Sequence, residues 1–209
     1  MLALDGLPVD DGVVRIRPFR KADATALVRA SRDPLIQRWT FVPADLTPGR
    51  ARAWLERTEE TRRRGAGLRL AVAEANDDGS LLGQVGIGRF DWENGRGEIF
   101  YWVDTPARGR GVATRAVRLL VPWAFAHLGL ARIEIVTDPA NVASQRVAAA
   151  AGFTREGLLR SYQWFKDTRM DAVMFSVLPG DEAGARPASH TAGDHGSHTA
   201  GDHGSPRLG

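Results

Sequence analysis

Residues 98–114, EIFYWVDTPARGRGVAT, join a strand pattern to a helix pattern through a turn rich in glycine and arginine. Glu98 to Val103 carries the aromatic and β-branched residues of a buried strand, and Asp104-Thr105-Pro106 ends it. The residues after the turn place apolar side chains on one helix face, at Val112, Ala116, Leu119 and Trp123. Glycines before a helix leave backbone N–H groups open to an anion, and the helix N-terminus adds about half a positive charge. The stretch therefore predicts a phosphate or pyrophosphate site.

The turn matches neither common nucleotide fingerprint. It lacks the Gly-Lys-Ser/Thr ending of the Walker loop and the third glycine of the dinucleotide-binding turn. On its own it could also be a plain glycine-rich connection with solvated arginines. Both interpretations stay open on these residues alone.

A more specific match is the pattern Arg-x-x-Gly-x-Ala at Arg108, Gly111 and Ala113. It resembles the coenzyme A pyrophosphate loop of the GNAT N-acetyltransferases. A second block, NVASQRVAAAAGF at Asn141–Phe153, is similar to the Asn-led helix of that family, which ends in Gly-Phe. The surrounding sequence resembles the ribosomal-protein, or RimJ/RimL-like, branch, and the resemblance covers roughly residues 12–178.

The resemblance implies acetyl-coenzyme A as cosubstrate. Its pyrophosphate would lie on the turn made by Arg108, Gly109, Arg110, Gly111, Val112, Ala113 and Thr114. Its pantetheine would lie in a split between the strands at Glu98–Val103 and Ile133–Thr137. The N–H of Val103 or Trp102 would then face the thioester carbonyl, and Asn141 would contact the coenzyme.

Acetyl transfer needs a base for the amine, a donor for the oxyanion and an acid or dipole for the leaving thiolate. By resemblance, Glu98 matches the family's general base; the alternative is a surface glutamate at a strand start. The tyrosine that many members place seven residues after the asparagine is Ala148 here, so that acid is missing. Ser144 could replace it, or could bind pantetheine or cap the helix. Tyr162 is a reserve candidate for the acid.

Composition excludes several other chemistries. The chain has no cysteine, so disulfides, thiolate metal sites and a cysteine nucleophile are ruled out. Four of the five histidines lie near the C-terminus and only His127 lies in the predicted domain, so we expect no metal centre there. The net charge is +3, and Arg62-Arg63-Arg64 is the only tight basic run, which argues against a nucleic-acid partner.

The N-terminal sequence and the hydropathy favour a cytoplasmic protein without a membrane partner. MLALDGLPVDDG lacks a basic region followed by a long apolar core, and no run of 18 apolar residues follows. We therefore expect neither a signal peptide nor a transmembrane helix.

The pattern of elements predicts an α/β fold. Leu68–Ala73, Leu81–Trp92 and the Glu98 strand form an antiparallel meander, and a helix links the Glu98 strand to a parallel strand at Ile133–Thr137. A closing antiparallel pair follows at 153–159 and 172–178. We expect a single GNAT-like domain whose mixed, mostly antiparallel sheet has one βαβ unit and helices on both faces.

Three segments are predicted along the chain. Residues 1–11 form a flexible leader, 12–178 the acetyltransferase domain, and 179–209 a disordered tail in which SHTAGDHG occurs twice in tandem. Within the domain, Leu35–Pro43 either walls the acceptor site or simply covers the core.

The predicted activity is acetyl transfer to a primary amine, either a protein N-terminus or a small molecule. An acyl-coenzyme A sensor or a binding module without turnover is the alternative. The oligomeric state stays open, with a homodimer as one option.

Overall fold

The Glu98 strand and the Ile133 strand are parallel neighbours, as the βαβ pattern predicts. The computed structural model, which describes residues 1–181, pairs Arg96–Glu98 with Arg132–Glu134 in parallel. Every other neighbouring pair in the sheet is antiparallel, and the strand order is β1-β2-β3-β4-β5-β6-β8-β7. The predicted fold class is thereby confirmed.

The strands and helices have the following bounds. The strands are β1 (Val9–Asp10), β2 (Val14–Arg17), β3 (Gly67–Glu74), β4 (Asp77–Asp91), β5 (Arg96–Val103), β6 (Arg132–Thr137), β7 (Thr154–Phe165) and β8 (Thr168–Val177). The helices are α1 (Ala24–Ala30), α2 (Pro34–Trp39), α3 (Pro48–Arg63), α4 (Val112–Leu128) and α5 (Val142–Ala150).

The sheet separates two hydrophobic cores. On one face, α4 and α5 pack against residues such as Leu68, Leu70 and Ile99. On the other face, α1, α2 and α3 cover Ala71 and Trp102. The division follows from strand geometry, because successive side chains point to opposite faces of a sheet.

Residues 1–11 correct the prediction of a flexible leader. Leu2 is buried against the α4 face of the core, and its N–H donates to the Arg62 carbonyl at 3.1 Å. The Trp123 indole donates to the Asp5 carbonyl at 2.8 Å, and Val9–Asp10 adds strand β1 to the sheet edge. Apolar residues at Leu2, Leu4, Leu7 and Val9 pack against the core, so the segment has enough apolar surface to dock.

Two further segments differ in detail from the prediction. A helix, α2, begins at Pro34, because the Asp33 carboxylate caps its first turn by accepting from the N–H groups of Leu35 and Ile36. Strand β7 extends to Phe165, beyond the predicted end at 159. The predicted tail falls, from residue 182 onward, outside the described residues.

Docking of the leader predicts that Leu2→Ala destabilises the protein. Leu2 is 7% exposed, so truncating it should lower the free energy of unfolding by about 2 kcal/mol, the small end of the range for buried leucines. Urea denaturation measures this, with Leu158→Ala, at a half-exposed position, as the matched control. Equal stability of Leu2→Ala and the parent would show that the leader does not pack in solution.

Candidate active site

The parallel strands separate immediately after their short pairing. β5 stays paired with β4 as far as Val103, and β6 stays paired with β8 as far as Thr137. Because the ladder between β5 and β6 ends at Glu98 and Glu134, a wedge opens between the carboxyl halves of the two strands. A cleft of about 770 Å³ occupies this wedge and reaches both faces of the sheet.

Strand β5 sends its side chains alternately to the two faces of the cleft. Trp102 belongs to the core on the α1–α3 face, and the alternation places Glu98 and Phe100 on that face as well. Ile99 and Tyr101 pack on the α4–α5 face. The predicted base is therefore on the face opposite to the one that carries α5.

The backbone of β5 shows which of Val103 and Trp102 turns its N–H toward the wedge. The Asp104 N–H donates to the Leu82 carbonyl at 2.8 Å, and hydrogen-bonded pairs alternate along an antiparallel ladder. Trp102 therefore directs its N–H toward β4, whereas Val103 directs its N–H and C=O into the wedge. The Arg108 Nε donates to that Val103 carbonyl at 3.1 Å, which agrees with this assignment.

The glycine turn presents open backbone donors to the cleft. Gly109 and Gly111 both have φ of +74°, a conformation that glycine adopts without steric cost, and a Cβ on either would meet nothing within 4 Å. Gly111 is the N-cap of α4 and supplies no side-chain cap. The first N–H groups of the helix are therefore free to bind an anion, as the sequence pattern predicts. The turn residues that line the cleft are Arg108, Gly109, Gly111, Val112, Ala113 and Thr114.

The two arginines of the turn are held by carboxylates. Arg108 lies 2.9 Å from Asp33 Oδ2, so it ties the end of β5 to the start of α2. Burial favours a higher pKa for Asp33, but hydrogen bonds from Thr105 and Arg108 outweigh it and hold the pKa at about 2. Arg110 does not line the cleft; it pairs with Glu74 at 2.9 Å. Its role in holding the coenzyme stays a prediction.

Helix α5 begins at the wedge with the asparagine that the sequence singles out. Asn141 Oδ1 accepts from the Ser144 N–H at 3.1 Å, so the side chain caps the helix. Both residues line the cleft. Ala148 is fully buried one turn further on, so no acid is available at that position.

Tyr101 is the functional candidate that the sequence reasoning missed. Its hydroxyl lies 2.9 Å from Ser144 Oγ and 3.2 Å from the Ser144 carbonyl, to which it can donate. Burial raises the pKa of Tyr101 to about 12, although the bond to Ser144 opposes the rise. The alternation of β5 could have placed Tyr101 opposite Glu98, but its contact with α5 depends on tertiary packing.

Glu98 is held on the other face by an arginine from β4. Arg89 Nη1 lies 3.1 Å from Glu98 Oε2 and also donates to Gln163 Oε1 at 2.9 Å. Burial raises the pKa of Glu98 above its usual range, and Glu134 adds to the rise, whereas Arg89 opposes it. A carboxyl group tuned in this way is suited to accept a proton nearer neutral pH than an ordinary glutamate.

The structure does not bring Tyr162 to the cleft. It is 44% exposed on β7 and is absent from the cleft lining, whereas its neighbour Gln163 is part of it. Ser161 has a positive φ of 49°, and the register of β7 against β8 shifts between Leu159 and Gln163. The irregularity changes which residue faces inward.

Aromatic side chains wall the cleft on the α1–α3 side. They are Trp39, Phe41, Trp54, Phe100 and Phe165. Phe41 and Phe165 are in contact, with ring centroids 4.6 Å apart, so the segment after α2 meets the tip of the β7–β8 hairpin. The segment Leu35–Pro43 thus contributes to the wall.

Two negative observations apply to residues 1–181. No group of three or more His, Cys, Asp or Glu side chains is placed to hold a metal ion in this range. None of the helices described there is both long and apolar enough to cross a membrane.

A parallel strand pair that splays beside a glycine turn is the arrangement that the resemblance to the GNAT N-acetyltransferases implies for an acyl-coenzyme A-dependent transferase. Comparison with known proteins agrees: the family model described as "Acetyltransferase (GNAT) domain" matches residues 14–154. The chain therefore belongs to the GNAT acetyltransferase family, and it is an acetyl-coenzyme A-dependent N-acetyltransferase.

Individual relatives match over most of their length. "Uncharacterized N-acetyltransferase p20" of Bacillus licheniformis is 30% identical over 81% of this chain and 94% of its own. "Putative ribosomal N-acetyltransferase YdaF" of Bacillus subtilis is 29% identical over 79% and 90%. The structure of Mycobacterium smegmatis RimJ in complex with CoA-disulfide is 27% identical, with a TM-score of 0.70, over 80% of this chain and 82% of that one. The RimJ/RimL-like branch is thereby supported.

The turn geometry predicts that Gly111→Asp weakens acetyl-coenzyme A binding. The new carboxylate would stand at the helix N-terminus where the pyrophosphate is expected, so affinity should fall at least about tenfold. Gly12→Asp is the matched control, because Gly12 also has a positive φ, of 81°, in an exposed turn. Calorimetry should show loss for Gly111→Asp alone; equal affinity in both variants would remove the turn from the coenzyme site.

Proposed function

We propose that this protein acetylates the α-amino group of a protein N-terminus, with Glu98 as general base. The observation that carries the proposal is the wedge itself, which has a partly buried carboxyl group on one face and the glycine turn at its end. Its relative YdaF is named for ribosomal N-acetylation, which supports a protein acceptor. Small-molecule amines are the second acceptor class, and the cytoplasm remains our predicted location.

In the proposed reaction, acetyl-coenzyme A supplies the acetyl group and leaves as the thiol. Glu98 takes a proton from the acceptor ammonium, so that the amine nitrogen can form a bond to the acetyl carbon. The Val103 N–H, which faces the wedge, donates to the carbonyl oxygen as negative charge develops there. The turn at 108–114 holds the pyrophosphate and fixes the thioester against β5.

We assign the protonation of the leaving thiolate to the pair formed by Ser144 and Tyr101. When the carbon–sulfur bond breaks, the sulfur takes a proton from one hydroxyl of the pair, which is restored from the other through their 2.9 Å contact. The second proton that the nitrogen loses as the amide forms returns to the pair through solvent. Glu98 releases the first proton to solvent, so one proton is released in each turnover. A tyrosine whose pKa is about 12 keeps its proton at neutral pH, so both hydroxyls of the pair are protonated before each turnover. The hydroxyl from β5 would thus replace the acid that is absent at Ala148.

Glu98→Gln should bind acetyl-coenzyme A normally and lose turnover. General-base assistance is typically worth 10²- to 10⁴-fold, and Gln cannot accept the proton. The loss should shrink as the pH rises past about 8, the pKa of an α-amino group, because the acceptor then arrives already neutral. Thiol release against pH measures this. A defect that stays constant across pH would assign Glu98 a purely structural role.

Arg89→Met tests the role of Glu98 as general base by removing the arginine that pairs with it. Arg89 lowers the pKa of Glu98, so removing the positive charge should raise that pKa further. The acid limb of the kcat profile should then move to higher pH, and Arg89→Lys should restore most of its position. If the limb does not move, it belongs to a group other than Glu98.

Tyr101→Phe and Ser144→Ala should each lower kcat about tenfold with little change in coenzyme affinity. If the two hydroxyls act as one unit, the double variant should be no slower than the worse single variant. Fully additive losses would indicate separate roles, and unchanged turnover in Tyr101→Phe would exclude it as a proton donor. Tyr101→Phe keeps the ring that packs against the core, so folding should be preserved.

A further inference from the structure

Arg69 lies on the floor of the cleft, on the same face of the sheet as Glu98. The strand registers place Arg69 on β3 opposite Gly86 on β4, and Gly86 opposite Phe100 on β5. The next row is Gly67, Gly88 and Glu98. Three of these six positions are glycines, so no side chain rises from β4 between Arg69 and Glu98, and the space is a trench floored by glycine backbone and the Phe100 ring.

Phe100 fixes the position of the Arg69 guanidinium. A Cβ on Gly86 would lie 2.5 Å from a Phe100 ring carbon, so the ring lies across Gly86 toward β3. The guanidinium carbon is 4.5 Å from the centroid of that ring and 5.7 Å from the Trp54 ring. The guanidinium thus lies over the Phe100 ring and near the Trp54 ring, and Arg69 lines the cleft.

Arg69 has no carboxylate partner in the part of the chain that the structure describes. It makes no hydrogen bond or ion pair there, and burial lowers its pKa. Of the acidic residues that line the cleft, Glu98 is paired with Arg89, and Asp138 accepts from the Ala140 N–H beyond the end of β6. A partly desolvated cation without a counter-ion is costly, and an incoming anion would relieve that cost.

Two other buried polar atoms on this face belong to neutral side chains. Trp102 Nε1 and Gln84 Oε1 both lack a partner among the described residues. They belong to cross-strand neighbours, and one is a donor and the other an acceptor. Neither carries a charge, so Arg69 is the group on this face whose full charge favours an anionic ligand.

We propose that Arg69 binds a carboxylate of the acceptor, so that the preferred substrate is an N-terminal segment with an acidic residue close to the amine. This inference rests on the proposed N-acetyltransferase function and specifies its substrate class. β3 and β5 are two strand spacings, about 10 Å, apart, and Arg69 is level with Phe100, two residues beyond Glu98. An extended peptide covers that span in about three residues, so the acid belongs at position two, three or four.

The test compares peptides that differ only in charge. They begin with the same residue, end in an amide, and carry Asp, Asn or Lys at position two, three or four. At the preferred position we expect kcat/KM for Asp to exceed that for Asn about tenfold or more, since a hydrogen bond to a charged group is worth that much. A small ω-amino carboxylic acid of matching span forms the second arm, which separates a peptide acceptor from a small-molecule one.

Variants then assign the preference to Arg69. Arg69→Met should reduce the Asp-to-Asn ratio to about one while the rate with the Asn peptide stays nearly unchanged, and Arg69→Lys should keep part of the ratio. Arg38→Met is the matched control: it removes the same charge from an exposed arginine that stacks on Trp39 at 4.4 Å, outside the cleft lining, and should leave the ratio intact. Thermal unfolding and acetyl-coenzyme A binding check that each variant is folded.

The possible results distinguish failure of the Arg69 carboxylate site from failure of the proposed N-acetyltransferase function. A ratio near one in the parent enzyme, or an equal loss for both peptides in Arg69→Met, overturns the carboxylate site while the acetyltransferase proposal stands. If kcat/KM for the ω-amino acid exceeds that for every peptide and is lost in Arg69→Met, Arg69 binds a carboxylate, but the acceptor is a small molecule and not a protein N-terminus. If no amine in either arm releases thiol, the proposed function itself fails.

Discussion

The site depends on an interrupted hydrogen-bonding edge. β5 is an interior strand, yet beyond Glu98 no described residue pairs with it on the β6 side. Backbone groups in such a position must be satisfied by something other than a strand. Arg108 satisfies the Val103 carbonyl, and it is held in place by Asp33. The remaining edge is available to a ligand with amide groups of its own, which the pantetheine arm of coenzyme A provides.

Glycines serve the two halves of the cleft for different physical reasons. At the coenzyme end, Gly109 and Gly111 are needed for their positive φ, which turns N–H groups toward an anion. At the acceptor end, Gly86 is needed for its missing side chain, because any Cβ there would collide with Phe100 and with the Leu68 carbonyl. The first requirement is a backbone conformation that a local motif can reveal. The second is a volume that exists only once three strands are in register.

The same distinction explains how much of the molecule could be predicted. The strand, turn and helix at 98–128 are local, so their pattern predicted the fold correctly, and it also predicts the coenzyme end of the site. Tyr101 was missed because its role depends on packing against α5, and Arg69 because β3 and β5 are not adjacent in the sheet. Tyr162, the reserve candidate, lies outside the cleft lining, next to a register shift in β7 that residue propensity does not show. Helix α2 was missed although its cap, Asp33 followed by proline, is a local signal.

Arg89 and Arg69 lie on the same face of the cleft, but Arg89 pairs with a carboxylate and Arg69 contacts aromatic rings, so we expect them to have different roles. Burial pushes Glu98 toward its neutral form, in which it could not accept a proton, and Arg89 is the cation that limits this effect. Because Arg89 is engaged with Glu98 and Gln163, its charge is largely neutralised within the protein. Among the described residues, the Arg69 guanidinium contacts the Phe100 and Trp54 rings and pairs with no carboxylate, and aromatic faces hold a guanidinium in place without cancelling its charge. The trench therefore has a positive charge at Arg69, some distance from the carboxylate of Glu98, the proposed base. This arrangement of charges is complementary to an acceptor in which a cationic amine is followed by an anionic group.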